Sequence, residues 1–107
     1  MKRGELYRVR GPTGDTKRQR VFVVVSRPAF VAAPFSTVIC APVYTVRRGI
    51  ETEVHVGPDE GLKHASAIMC DGLHSLPRTA LTDYIGTLSP AKLVELRAAI
   101  RIALAVE

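Results

Sequence analysis

Six consecutive residues, Val21-Phe22-Val23-Val24-Val25-Ser26, show no polar alternation, and such a run suits a strand covered on both faces. Three cations of the segment Lys17-Arg18-Gln19-Arg20 lead straight into it. Arg20 therefore stands at the entrance of a buried strand, on rigid scaffold, which is good anchorage for a guanidinium that binds phosphate. A lone basic cluster is otherwise a solvated loop, so its meaning depends on the rest of the chain.

A chain of 107 residues fits one domain, spanning 1–107, large enough to bury a modest core without a metal or disulfide. Hydrophobic residues, 47% of the total, are spread evenly, which argues against disorder. No apolar run approaches the roughly 18 residues of a spanning helix. Met1-Lys2-Arg3-Gly4-Glu5 runs directly into strand-like Leu6-Tyr7-Arg8-Val9, with no room for a signal peptide. A soluble, cytoplasmic protein with no membrane partner is expected.

Cys40 and Cys70 lie inside apolar runs, where a thiol packs as a small hydrophobe. They do not combine with His55, His64 or His74 into a ligand spacing, so no metal site is expected.

Residues 1–48 carry ten Lys or Arg against Glu5 and Asp15, whereas the remainder is net acidic. A basic first half in a chain of net charge +5 points to a polyanionic partner, either nucleic acid or an acidic protein segment.

In chain order, residues 4–10 alternate as a first strand with one wet face. Gly11-Pro12-Thr13-Gly14-Asp15 opens a long hairpin-type loop reaching Gln19, and Arg27-Pro28 ends the second strand. Residues 29–36 read as irregular. A third strand covers 37–46, with Pro42 requiring an edge, a bulge or a crossing between sheets. After a turn at Arg47-Arg48-Gly49, residues 50–56 alternate strictly and are expected to pair antiparallel to the third strand. A loop at 57–61 precedes the apolar run 65–73, central in character, and residues 84–88 form a last short strand. Ser89 is a good N-cap, Pro90 takes the first helical position, and Leu93, Leu96, Ile100 and Leu104 fall on one stripe to dock on the sheet. Five or six short strands with one C-terminal helix predict a mainly β, α+β fold: a small, partly closed barrel.

Several of these stretches, in order and spacing, resemble the MazF/PemK toxin family of bacterial toxin–antitoxin systems. Met1-Lys2-Arg3-Gly4-Glu5-Leu6-Tyr7 is similar to the family's opening, and Arg20 to Ser26 is similar to its R-P-V-L-V-V-S segment. Thr37-Val38-Ile39-Cys40-Ala41-Pro42-Val43 resembles its T-V-V-V-A-P-I/V strand, which normally ends in Thr. Met69-Cys70-Asp71-Gly72-Leu73-His74-Ser75-Leu76 resembles L-x-D-Q-I-R-S/T-I, and Ile85-Gly86-Thr87-Leu88-Ser89 resembles I-G-x-L-S. Val21, Gly72 and His74 stand where the family has Pro, Gln and Arg, and Asp15 where the Glu of S-E-Q is usual.

The resemblance implies an SH3-like (CcdB/PemK-like), partly open barrel and a homodimeric endoribonuclease. Such an enzyme cuts single-stranded RNA at a short sequence without metal or other cofactor, and is neutralised by a cognate MazE-like antitoxin. Matching positions make Arg20 the catalytic arginine, Tyr44 or Thr45 the hydroxyl, Asp71 the acid of the D-Q-x-R pattern and His74 the residue after it. RNA contacts are expected from Asp15, Thr16, Lys17, Arg18, Arg47, Arg48 and Ser75, with a groove lined by 13–20, 44–48 and 71–74.

Metal-free RNA cleavage needs the 2′-OH deprotonated, charge on the phosphorane stabilised and the 5′-oxygen protonated. Arg20 suits the second role, because its planar fork makes two charge-assisted bonds to phosphate oxygens. Asp71 and His74 both remain open as base or acid. The short hydroxyl of Thr45 suits a phosphate held close to the backbone, leaving Tyr44 to stack on a base or pack. A non-catalytic CcdB-like toxin or a basic binding module would share the barrel and the charge, but has no need of the set Arg20, Thr45, Asp71 and His74.

Overall fold

The computed structural model describes residues 1–10 and 19–106. The predicted loop containing Asp15, Thr16, Lys17 and Arg18 lies outside them. Seven strands, rather than five or six, form one antiparallel sheet: β1 (Glu5–Val9), β2 (Arg20–Val24), β3 (Thr37–Tyr44), β4 (Glu53–Val56), β5 (Ser66–Met69), β6 (His74–Pro77) and β7 (Asp83–Thr87). Their order is β4-β5-β3-β2-β1-β7, with β6 also on β3. A short helix α1 (Pro28–Ala32) and the C-terminal α2 (Pro90–Ala103) complete the fold, and no helix among the described residues is long and apolar enough to cross a membrane.

β2 is covered on both faces, as its unbroken apolar run predicts. Val23 and Val25 join Leu6, Ala41, Val43, Val54 and Ile68 in the core under α2. Val24, with Phe22 beside it, joins Tyr7, Val9, Val38, Cys40 and Leu81 in a second core behind the sheet, closed by Val31 of α1. Cys40 and Cys70 belong to these two cores, and burial pushes their thiols up to about 12 and about 11, so both sulfurs stay protonated and unreactive.

Helix α2 starts where its sequence says. The Ser89 hydroxyl accepts the Lys92 N–H at 3.2 Å and Pro90 needs no donor partner. Leu96 and Ala99 are fully enclosed against the sheet, with Leu93 and Ile100 half-buried beside them. Leu104 departs from the expected stripe. It is the C-cap residue of the helix and is 56% exposed.

Three expectations are corrected and one element is added. Residues 29–36 are not wholly irregular: Pro28 at the first helical position starts α1, whose Phe30 and Val31 N–H groups bond Arg27 O. The alternating segment 50–56 narrows to β4 and pairs with β5, not β3, because β5 takes the place beside β3 through Val43↔Ile68 and Tyr44↔Ala67. The loop 57–61 contains a 3₁₀ turn, Pro58–Glu60, in which buried Glu60 accepts the Gly57 N–H at 3.1 Å. His74 to Pro77, given no element in the sequence reading, is β6, paired with the first half of β3.

That last pairing explains Pro42. Residues 37–40 of β3 pair with β6 on one side, residues 43 and 44 with β5, and Pro42 falls in the gap between the two partners. A missing N–H at an interruption of the ladder costs no hydrogen bond there, so a proline is tolerated inside a central strand. The chain crosses the gap through the 3₁₀ turn Cys70–Gly72, where Gly72 lies against the Pro42 ring.

Candidate active site

Antiparallel register decides which candidates share a surface. Val21 faces Val43, so Arg20 and Tyr44 come opposite each other at the ends of β2 and β3, on the same sheet face as Phe22. The Arg20 guanidinium lies over the Tyr44 ring, 4.2 Å from its centroid, and Nη1 reaches toward Val43 O at 3.5 Å. A cation stacked on an aromatic face keeps its plane fixed while its outer N–H groups stay exposed. β3 ends at Tyr44 and Thr45 sits in a bend after it. The rule that strand neighbours face apart therefore no longer binds, and both residues line one groove with Arg20.

This groove, about 450 Å³, is walled by Arg8, Arg20, Arg48 and Lys63, and none of its lining residues carries a carboxylate. Three of its titratable members were not predicted from sequence: Arg8, Lys63 and His64. Arg8 was legible as the charged position of an alternating strand. Lys63 and His64 gave no signal, because they reach the groove only through the pairing of β5 with β3.

The neighbouring arginines divide. Arg47 donates from Nε to Ser66 O at 3.0 Å and from Nη2 to Val56 O at 2.9 Å, tying the ends of β4 and β5 together. Arg48 turns its side chain into the groove while its backbone N–H bonds Glu53 at 2.8 Å. That bond, with others from Gly49 and Ile50, holds the Glu53 carboxyl below the usual range and fixes the turn.

Asp71, His74 and Ser75 do not line this groove, against the expectation that residues 71–74 would, because β6 pairs with the first half of β3 and not with the end that carries Tyr44. Asp71 Oδ2 accepts the Thr52 hydroxyl at 2.5 Å, latching the 70–72 turn to the approach of β4. His74 pairs with Cys40, and its ring meets Phe22 edge-on at 5.9 Å between centroids. Its Nδ1 lies 2.7 Å from Gly72 O. A carbonyl cannot donate, so Nδ1 carries the proton and Nε2 is left as an acceptor. Phe22 thus separates His74 from Arg20. Ser75 points to the opposite face from His74, beside Ile39. Tyr7 is buried. Its ring packs edge-on against Tyr84, and burial together with its bond to Glu5 pushes its phenol up to about 12.

Among the described residues no group of three or more His, Cys, Asp or Glu is placed to hold a metal ion. The cationic wall of the groove would itself repel a divalent cation and attract a phosphodiester.

Comparison with known proteins agrees with this geometry. The chain is 34% identical over 96 residues to probable endoribonuclease MazF2 of Mycobacterium tuberculosis, covering 89% of each. Its fold superposes on a mycobacterial endoribonuclease solved with its cognate antitoxin at TM-score 0.84 and 27% identity, covering 100% of this chain and 97% of that one. The M. tuberculosis toxin MazF-mt6 gives 0.83 at 25% identity, over 96% and 98% of the two chains. The family described as the PemK-like, MazF-like toxin of type II toxin–antitoxin systems matches residues 2–104, and this chain belongs to it.

Proposed function

We propose that this toxin is a sequence-selective, metal-independent endoribonuclease that cuts single-stranded RNA to 2′,3′-cyclic phosphate and 5′-OH ends. The observation that carries the reading is the Arg20 guanidinium, stacked on Tyr44 at the head of a buried strand and opening into a cationic groove. Arg20 is the donor to the phosphorane oxygens, held in place before charge develops. Arg8, Arg48 and Lys63 neutralise flanking phosphates and set the strand's register. Asp71 fixes the 70–72 turn and His74, with Nδ1–H on Gly72 O, lies past Phe22 from Arg20, so both are assigned to holding the RNA beside the cut rather than to proton transfer at the phosphate. Substituting 2′-deoxy at the cleaved nucleotide is expected to abolish the cut in EDTA, with 5′ ends mapped on a long RNA. Undiminished cutting of the deoxy substrate would sink the mechanism.

Tyr44 and Thr45 take different parts. Tyr44→Phe keeps the ring under Arg20 and is expected to stay near normal in single-turnover cleavage. Thr45→Val removes a hydroxyl beside the phosphate and is expected to cost roughly tenfold. A large loss with Tyr44→Phe and none with Thr45→Val would give the hydroxyl role to the phenol.

The same cationic groove suits an acidic antitoxin tail, a mycobacterial relative is known in complex with its cognate antitoxin, and a symmetric homodimer is the expected toxin state. RNA and antitoxin then compete. A monomer at micromolar concentration, or a ternary complex that still cuts RNA, would overturn this part.

A further inference from the structure

A second concavity, about 530 Å³, adjoins the Arg20 groove and shares Arg8 and Gln19 with it. Its chemistry is different. The wall of the groove carries cations and no carboxylate, whereas this pocket sets Asp83, Thr79 and Thr82 beside Arg10 and Gln19, so acceptors and donors stand together. Arg20 is level with Val9 on β1, and Arg8 is level with Asp83 on β7, which puts Asp83 two strands and one residue from Arg20, about 10 Å between backbones. One nucleotide bridges that span. Asp83 is exposed, and among the described residues no ion pair closes between it and Arg8, so its carboxylate is open to a ligand. Resting on the nuclease reading above, we propose that this pocket reads one base of the cut sequence and that Asp83 selects guanine there.

The pocket is built on fixed parts. Arg78 donates from Nη2 to Phe30 O at 3.0 Å and to Ala33 O at 2.9 Å, and its backbone N–H bonds Ser36 O at 2.9 Å, so the turn that carries Thr79 is tied to α1 and the segment after it. Leu81, buried in the second core, pins the other end. A base reader has to be rigid in this way, because discrimination depends on groups that cannot shift to suit the wrong edge. Phosphate contacts position RNA and base contacts specify it, and a carboxylate repels phosphate while accepting from base N–H groups. Guanine presents N1–H and its amino group side by side, which matches the two oxygens of Asp83. Uracil presents N3–H between two carbonyl oxygens, which a carboxylate repels. The same charge disfavours an acidic antitoxin tail, so this pocket fits RNA and not that partner.

Inosine, which is guanosine without its amino group, tests this in oligonucleotides built on the mapped cut site. The unmodified protein is expected to prefer guanine at one position beside its cut, and to lose at least about tenfold in single-turnover rate when inosine replaces it. In Asp83→Ala that difference should vanish, with an unchanged melting curve and the preferences at other positions retained. Asp83→Asn should narrow it. Arg8→Ala should slow both oligonucleotides by the same factor, because a lost phosphate contact carries no sequence information. A guanine-to-inosine loss as large in Asp83→Ala as in the unmodified protein would overturn the proposal, as would mapped cuts with no guanine preference beside them. Failure of the unmodified protein to cut any RNA would instead remove the nuclease reading on which the proposal rests.

Discussion

Arg20→Ala is expected to slow RNA cleavage by at least about a hundredfold while leaving the melting curve essentially unchanged, since one preorganised oxyanion-type donor is worth about 3 kcal/mol. The side chain is exposed, and its hold on the fold is one long bond to Val43 O and the stack on Tyr44. Losing it empties no core. Arg20→Lys should recover only part of the rate. An ammonium keeps the charge but has neither the two-pronged donor geometry nor the flat face that Tyr44 orients. Single-turnover cleavage of one RNA by the three proteins, each checked by circular dichroism, decides the matter. A folded Arg20→Ala protein with near-normal turnover would return the basic entrance of β2 to an ordinary solvated surface.

The largest stability effect is expected far from any charge, at Gly86→Ala. A Cβ there would stand 2.2 Å from Glu60 O and 2.9 Å from its carbonyl carbon. These are backbone atoms, and the turn that carries them is held by the bond from Gly57 N–H to Glu60 Oε1. The reverse approach is equally close: Gly61, at φ +91°, would place a Cβ 2.6 Å from Ile85 O. Ile85 is the extra residue of a bulge where the pairing of β7 with β1 shifts, and the bulge is what lets the 58–60 turn press onto the strand. Gly86→Ala should therefore cost at least about 2 kcal/mol and lower the melting temperature by roughly 10 °C. Gly49→Ala is the control. Its Cβ would meet nothing within 4 Å, and only its φ of +71° opposes the change, at about 1 kcal/mol. A Gly86→Ala melt as close to the parent's as that of Gly49→Ala would show that the turn can move aside. Residues 63 and 64 follow this turn directly, so the same contact helps place Lys63 and His64 in the groove.

These two residues mark the division between what the chain states and what the fold decides. The unbroken run after Arg20 determined a strand with no wet face, Ser89-Pro90 determined where α2 begins, and the apolar neighbours of Cys40 and Cys70 determined that both thiols are core. Each depends on periodicity, capping or local polarity, which nearest neighbours in sequence already contain. Alternation in 50–56 likewise determined which residues of β4 are buried, but not that β5 rather than β3 is its partner. A period of two specifies faces and says nothing about which edge docks. Only the tertiary structure placed Pro42 at a change of partners, sent Arg47 to backbone carbonyls and Arg48 to the groove, and left Leu104 in solvent. It also put Phe22 between His74 and Arg20 while bringing His64 into the groove, because strand register sets which distant residues become neighbours, and register is fixed by the packing of the whole sheet.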